Sequence, residues 1–238
     1  MENGIKFSIN IDRLFRYHLT GIFILALADV FVVAGFWFFG FGTMKGLTHL
    51  FYLEDEGNLP TLFSTVALSL LAAACLLCTR SARNGEHIFW NAMTAVFLFL
   101  AVDEAVSIHE YLSVAVQKSL RATGAFERAW VIPYAIAAAL FGVLTLRKLL
   151  ALPPRTKYGL MIAGTLYIAG AVGFEMLESF MVSRVFAPSI ELGLFYSFCV
   201  LCEEMLEMLG VALALRTCLF HFMGRARFLN LNIAVAAH

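Results

Sequence analysis

Charge is scarce in this 238-residue chain: 14% of its residues are charged, and 17 basic side chains balance 17 acidic ones. No basic excess is available to grip phosphates and no acidic tail to imitate them, which excludes nucleic-acid binding. Proline occurs only 5 times, and no Pro-rich or Gly/Ser-rich stretch, low-complexity run or long-period repeat divides the chain. It is therefore read as one membrane domain over 1–238. Walker-type phosphate loops, Rossmann glycines, His-Glu-x-x-His zinc signatures, Gly-x-Ser-x-Gly elbows and haem-attachment Cys-x-x-Cys-His motifs are all missing, so common soluble-enzyme chemistry has no support. The cysteines Cys75, Cys78, Cys199, Cys202 and Cys218 lie in or beside hydrophobic stretches rather than polar loops. No extracellular disulfide framework is expected from them.

Apolar residues are abundant instead. They make up 61% of the chain, where soluble domains hold about 45–50%, and the mean hydropathy is +0.82. The fold class is accordingly all-α, a polytopic integral membrane protein whose partner is the lipid bilayer. A helix needs roughly 20 apolar residues to cross a core about 30 Å thick, and six segments satisfy this: 19–42, 60–79, 88–111, 129–147, 158–182 and 190–217. The basic N-terminus precedes an apolar run too long for a signal-peptide core, so the first segment reads as an uncleaved span. Pro60 and Pro133 fall in first turns and Pro188 just before the sixth span, where a missing N–H costs little. Asn58 is the expected cap of the second span.

Lys and Arg are distributed unequally between alternate loops. Twelve fall on one side, from Lys6 to Arg227, and five on the other, Lys45, Lys118, Arg121, Arg128 and Arg184. The positive-inside bias puts both termini in the cytoplasm, consistent with a plasma (inner) membrane. The outer connections are then 43–59, 112–128 and 183–189. Small residues spaced by four, Ala135/Ala139 and Ala138/Gly142 on the fourth span and Ala169/Gly173 on the fifth, read as close helix packing.

The informative residues are acids inside the spans. Asp29 stands alone on the first, where interhelical hydrogen bonding suffices to explain it. Asp103, Glu104 and Glu110 lie on the third, Glu175 and Glu178 on the fifth, and Glu203, Glu204 and Glu207 on the sixth. An acid at a helix centre costs about 2.5–3.5 kcal/mol on insertion scales, so these groups must face one another or water. Helical spacing aligns Asp103, Ser107 and Glu110 on one stripe, Glu175 and Glu178 on a second, and Glu203 and Glu207 on a third. Glu104 and Glu204 point off those stripes, as supporting contacts. Counting the rise from the cytoplasmic ends puts Asp103, Glu175 and Glu203 about 20–27 Å up, in the outer half of the membrane. His109 stands at the outer end of the third span, and His49 with Glu54, Asp55 and Glu56 forms a candidate mouth.

No Lys or Arg lies within the spans near these acids, so internal salt bridges are not expected to neutralise them. Either carboxyls are protonated or they hold a cation. A carboxylate-rich ligand set with one imidazole suits Mn, Fe, Ca or Mg better than Zn. The expected ligands are Asp103, His109, Glu110, Glu175, Glu178, Glu203 and Glu207, with His109 also a candidate acid/base; Cys199 and Cys202 beside Glu203 are the softer alternative. Three readings stay open. The first is a divalent-metal membrane protein, with a membrane metalloenzyme as its catalytic form. The second is a cation- or proton-coupled transporter or channel subunit. The third is an assembly or anchoring subunit whose partner, a second copy or another membrane protein, supplies the positive charge.

Overall fold

A computed structural model describes residues 10–40, 46–83, 85–184 and 190–226. Lys6, Lys45, Pro188, Arg227, and all but the first two residues of the 183–189 connection lie outside them. The helices are α1 (Ile11–Phe39), α2 (Leu47–Phe51), α3 (Leu59–Arg80), α4 (His87–Val106), α5 (Ile108–Leu120), α6 (Val131–Leu150), α7 (Pro154–Ile168), α8 (Glu175–Arg184) and α9 (Ile190–Ala226). No strand occurs among the described residues. Five helical segments are long and apolar enough to cross a membrane: α1, α3, α4, α6 and the run Pro154–Ser183. Helix α9, 37 residues long, carries three acids in its middle and is not among them.

Local chemistry explains most boundaries. Asn58 Oδ1 accepts from the backbone N–H of Thr61 (3.0 Å) and so caps α3, while its Nδ2 donates to the carbonyls of Tyr52 and Asp55. The side chain of Asn10 accepts from Arg13 N and starts α1 eight residues before the expected 19. Two expectations fail. The third span does not run unbroken from 88 to 111, because Ser107 adopts a left-handed conformation (φ 54°, ψ 45°) that ends α4. The segment 112–128 is also not simply a loop, since α5 occupies it to Leu120. In α5 the polar residues His109, Ser113 and Gln117 recur every four positions, a helical period in a stretch too polar to read as a span.

Helix α9 is the axis of the bundle, packing against α1, α3 and α7, while α3 and α4 form an antiparallel pair. One core joins α3, α4, α7 and α9 through Leu71, Cys75, Trp90, Ala163 and Leu215. A smaller one joins α1 and α9 through Ile22, Leu25, Val200 and Met208. All five cysteines are free thiols, with Cys75 and Cys218 in contact at 3.8 Å. The run from α7 through the π-helical turn Ala169–Phe174 packs closely on α9 because glycines on both sides leave out a side chain. A Cβ on Gly170 would lie 2.6 Å from the carbonyl oxygen of Glu203, and one on Gly210 would lie 2.8 Å from that of Ala163. The expected small-residue pairs play no such part: a Cβ at Gly142 or Gly173 would meet nothing within 4 Å.

Asp29 is explained locally. It is buried, and its Oδ1 accepts the backbone N–H of Leu53 at 3.0 Å, fastening the 46–58 segment to α1. At the opposite end Arg225 on α9 grips Glu86 with both guanidinium nitrogens, ahead of α4. Burial alone would raise the Glu86 pKa, but the hydrogen bond and charge of Arg225 outweigh it and hold it below the usual 4.5. A carboxyl depressed by folding stabilises above its unfolded pKa and loses that contribution as pH falls through the folded value. The melting temperature of the native protein is thus expected to fall more steeply below pH 4.5 than that of Glu86→Gln. Parallel acid profiles in detergent would refute this role.

Candidate functional site

At the end of the bundle holding α2, α5 and α8, one cavity of about 1350 Å³ gathers acids from five stretches of chain. Glu54 and Glu56 enter from the 52–58 segment, Asp103 and Glu104 from α4, Glu110 from α5, Glu175 and Glu178 from α8, and Glu203, Glu204 and Glu207 from α9. The π-helical turn Ala169–Phe174 leads directly into Glu175; such turns are frequent at functional sites. His49 and Asp55 do not join the cavity lining. They pair with each other at 2.9 Å on the exposed side of their loop.

The acids fall into three groups. In the first, Glu175, Glu178 and Glu203 each offer an oxygen, all within 4.8 Å of one another, and all three side chains are buried. Glu178 is fully buried and neither of its oxygens has a hydrogen-bond partner. Contrary to the expectation of an uncompensated cluster, this group has a basic neighbour. The guanidinium of Arg128 lies 3.2 Å from Glu175, 3.6 Å from Glu178 and 3.2 Å from Glu54, and donates to the Tyr196 hydroxyl at 2.6 Å. Tyr196 in turn donates to Glu54 at 2.5 Å. Burial opposes the charge on Arg128, but Glu175, Tyr196, Glu178 and Glu54 together outweigh it and raise its pKa. Arg128 precedes α6 in a connection the sequence assigns to the surface. Its backbone N–H donates to the buried hydroxyl of Ser179 on α8 (3.2 Å), which turns its side chain inward. The one sequence signal is its position immediately before the fourth span's expected start at 129.

The second group lies where α4 breaks. Asp103 Oδ1 accepts the backbone N–H of His109 at 2.8 Å, capping α5, while Oδ2 lies 3.4 Å from His109 Nδ1. This leaves Nε2 facing Glu56 at 3.7 Å, and Glu56, His109 and Glu110 present donor atoms within 4.8 Å of one another. Asp103 is therefore the residue that orients the imidazole, as carboxylates do behind ligating histidines. Ser107 belongs to the break and does not extend a stripe from Asp103 to Glu110. Burial lowers the His109 pKa, but Asp103, Glu56 and Glu110 outweigh it and hold it above its ordinary value. Burial also raises that of Glu56. The Trp130 ring packs on His109 at 5.1 Å between centroids.

The third group, Glu104, Glu204 and Glu207, lies within electrostatic reach of itself and of Tyr167. Glu207 faces Tyr167 on α7. Neither metal-capable group contains a cysteine. In all, ten acids line the cavity, and Arg128 is the one Lys or Arg among its described lining residues.

Fold and site together define an all-helical protein with membrane-compatible apolar helices around an acid-lined internal cavity. No curated protein and no solved structure matches the chain. The chain belongs to the family described as Domain of unknown function (DUF8692), which matches residues 24–222 and so includes every acid of the cavity.

Proposed function

We propose that this is a six-span metalloprotein of the plasma (inner) membrane, with α9 as the sixth span, both termini cytoplasmic and the acid-lined end of the cavity in the outer half of the bilayer. It forms one membrane domain, and its divalent cation is held by Glu175, Glu178 and Glu203. The observation that carries this reading is Glu178: a fully buried carboxyl crowded by those of Glu175 and Glu203, with oxygens of all three within 4.8 Å of one another and only the Arg128 guanidinium, 3.6 Å away, to offset them. Three buried carboxylates so close together are too costly to leave with a share of one guanidinium. The single charge of Arg128 is already divided among three glutamates. Glu56, His109 and Glu110 form the second candidate position, nearer the mouth, with Asp103 fixing the imidazole. An oxygen-rich donor set of this kind favours Mn, Fe, Ca or Mg. A cation there supplies Lewis acidity that activates water or dioxygen, or polarises a lipid-phase substrate.

Two observations count against the other readings. The anchoring reading needs acids open to a partner's cation, and Glu175, Glu178 and Glu203 are buried within the chain. A proton or cation path needs polar groups throughout, and beyond Thr145 and Thr165 the cavity is lined by residues such as Phe89, Leu149 and Leu160.

Elemental analysis of detergent-purified protein tests the proposal. Near-stoichiometric divalent metal is expected in the native protein and its loss in both Glu178→Gln and Glu203→Gln. A folded native protein without metal would overturn the reading.

A further inference from the structure

The cavity has an apolar extension that the acids do not account for. It follows α4 from Asp103 to Phe89, α6 from Tyr134 to Leu149 and α7 down to Leu160. At 1.5 Å per residue these stretches make a slot about 20 Å long. One leaflet of a hydrocarbon core about 30 Å thick has a depth of about 15 Å, so the slot accommodates a chain of leaflet length. Helix α6 is fastened at its two ends and stands off between them. At one end Tyr134 meets Phe99 of α4; at the other, Lys148 reaches the Gly85 carbonyl at 3.5 Å. Between these ties its lining includes the small residues Ala138 and Gly142 beside Phe141 and Thr145, and a Cβ on Gly142, or on Gly164 across the slot, would meet nothing within 4 Å. The small residues of α6 therefore widen a cavity instead of joining two helices.

The polar end selects the head group. Ten acids and one arginine line the cavity, so its polar end offers many more acceptor oxygens than the chain's own donors can occupy. Arg128 serves Glu54, Glu175 and Glu178, and the candidate cation positions serve Glu175, Glu178 and Glu203 and, at the mouth, Glu56, His109 and Glu110. Glu104, Glu204 and Glu207 have no cation of their own. They sit with Tyr167 where the acidic end passes into the slot, eight residues along the α7–α8 run from Glu175, or about 12 Å. Glu178 opens into the same cavity.

We infer that the cavity takes one long-chain amphiphile with an ammonium head, its chain in the slot between α4, α6 and α7 and its head at Glu104, Glu204 and Glu207. As the substrate class of the proposed metal site, the inference rests on that reading, although chain and head binding need no metal.

The test uses the full chain in phosphatidylcholine nanodiscs with a photoreactive tetradecylamine. Labelled peptides are mapped by mass spectrometry, and metal is measured in the same samples. Labelling is expected on α4, α6 and α7. It should be competed by tetradecylamine but not by tetradecyl phosphate or butylamine, and lost in Gly142→Phe with metal content unchanged. Labelling that persists in a folded Gly142→Phe puts the chain elsewhere and overturns the proposal, as does equal competition by the phosphate. The competition arm uses the unaltered protein, so it decides even if that variant does not fold. Slot labelling in protein that contains no metal would retain the amphiphile site and reject the metal reading; metal without labelling would do the reverse.

Discussion

Arg128→Gln is expected to destabilise the folded protein by about 2–4 kcal/mol, the largest effect of any single surface-connection residue. Removing one partner of a buried ion pair costs about 3–5 kcal/mol because the other charge stays behind; the Arg128 side chain is 35% exposed, and solvent screening reduces the figure. Three glutamates lose their shared cation at once: Glu54 from the 52–58 segment and Glu175 and Glu178 from α8. Tyr196 on α9 loses its tie as well. Arg128→Lys should recover only part of the loss, since Nη1 serves the α8 glutamates and Nη2 serves Glu54 and Tyr196, a fork that one ammonium cannot reproduce. Because the charges are coupled, Arg128→Gln combined with Glu175→Gln should cost less than the sum of the two single changes. Unfolding in detergent micelles measures all four proteins. A native-like melting temperature for Arg128→Gln would remove the arginine from the account of the site.

Glycine substitutions should divide into two sets of opposite sign. Gly170→Ala and Gly210→Ala drive a methyl against backbone oxygens at 2.6 and 2.8 Å, and overpacking of this kind costs about 1–3 kcal/mol. Backbone cannot swing aside as a side chain can, so α7 and α9 must separate. The Gly170 methyl would press on the backbone of Glu203, a proposed ligand, so Gly170→Ala should lower metal content as well as stability. By contrast, Gly142→Ala and Gly164→Ala fill open space on helices, where alanine is worth about 0.5–1 kcal/mol over glycine. Melting temperatures of the four variants, with elemental analysis of Gly170→Ala, give the comparison. Equal destabilisation by all four would show that the slot and the α7–α9 contact do not differ as described.

Much of the helical layout was legible because apolarity and helix length act over short stretches. Asn58 as a cap and Pro60 in the first turn of α3 follow from the missing or unpaired backbone donors of a helix start, which any chain must resolve locally. The break at Ser107 was not legible. The stretch from His87 to Tyr111 reads as one apolar run with acids, and the break depends on Asp103 turning back to accept the His109 N–H, a choice between two hydrogen-bonding arrangements that spacing does not decide. For the same reason Asp103 reads as a ligand in sequence and stands behind His109 in space.

Composition and span length already dictate a helical chain apolar enough for a membrane, and they dictate that its acids share an environment, because a lone carboxylate in hydrocarbon is prohibitively expensive. How those acids are divided follows from the packing of the helices: which face Arg128, which face His109, and which are left without a cation. It also turned the small residues of α6 from a packing motif into the wall of a slot. The physical reason is that helical periodicity fixes which side chains share a face of one helix, whereas the partner across that face depends on how helices distant in sequence are rotated and tied together.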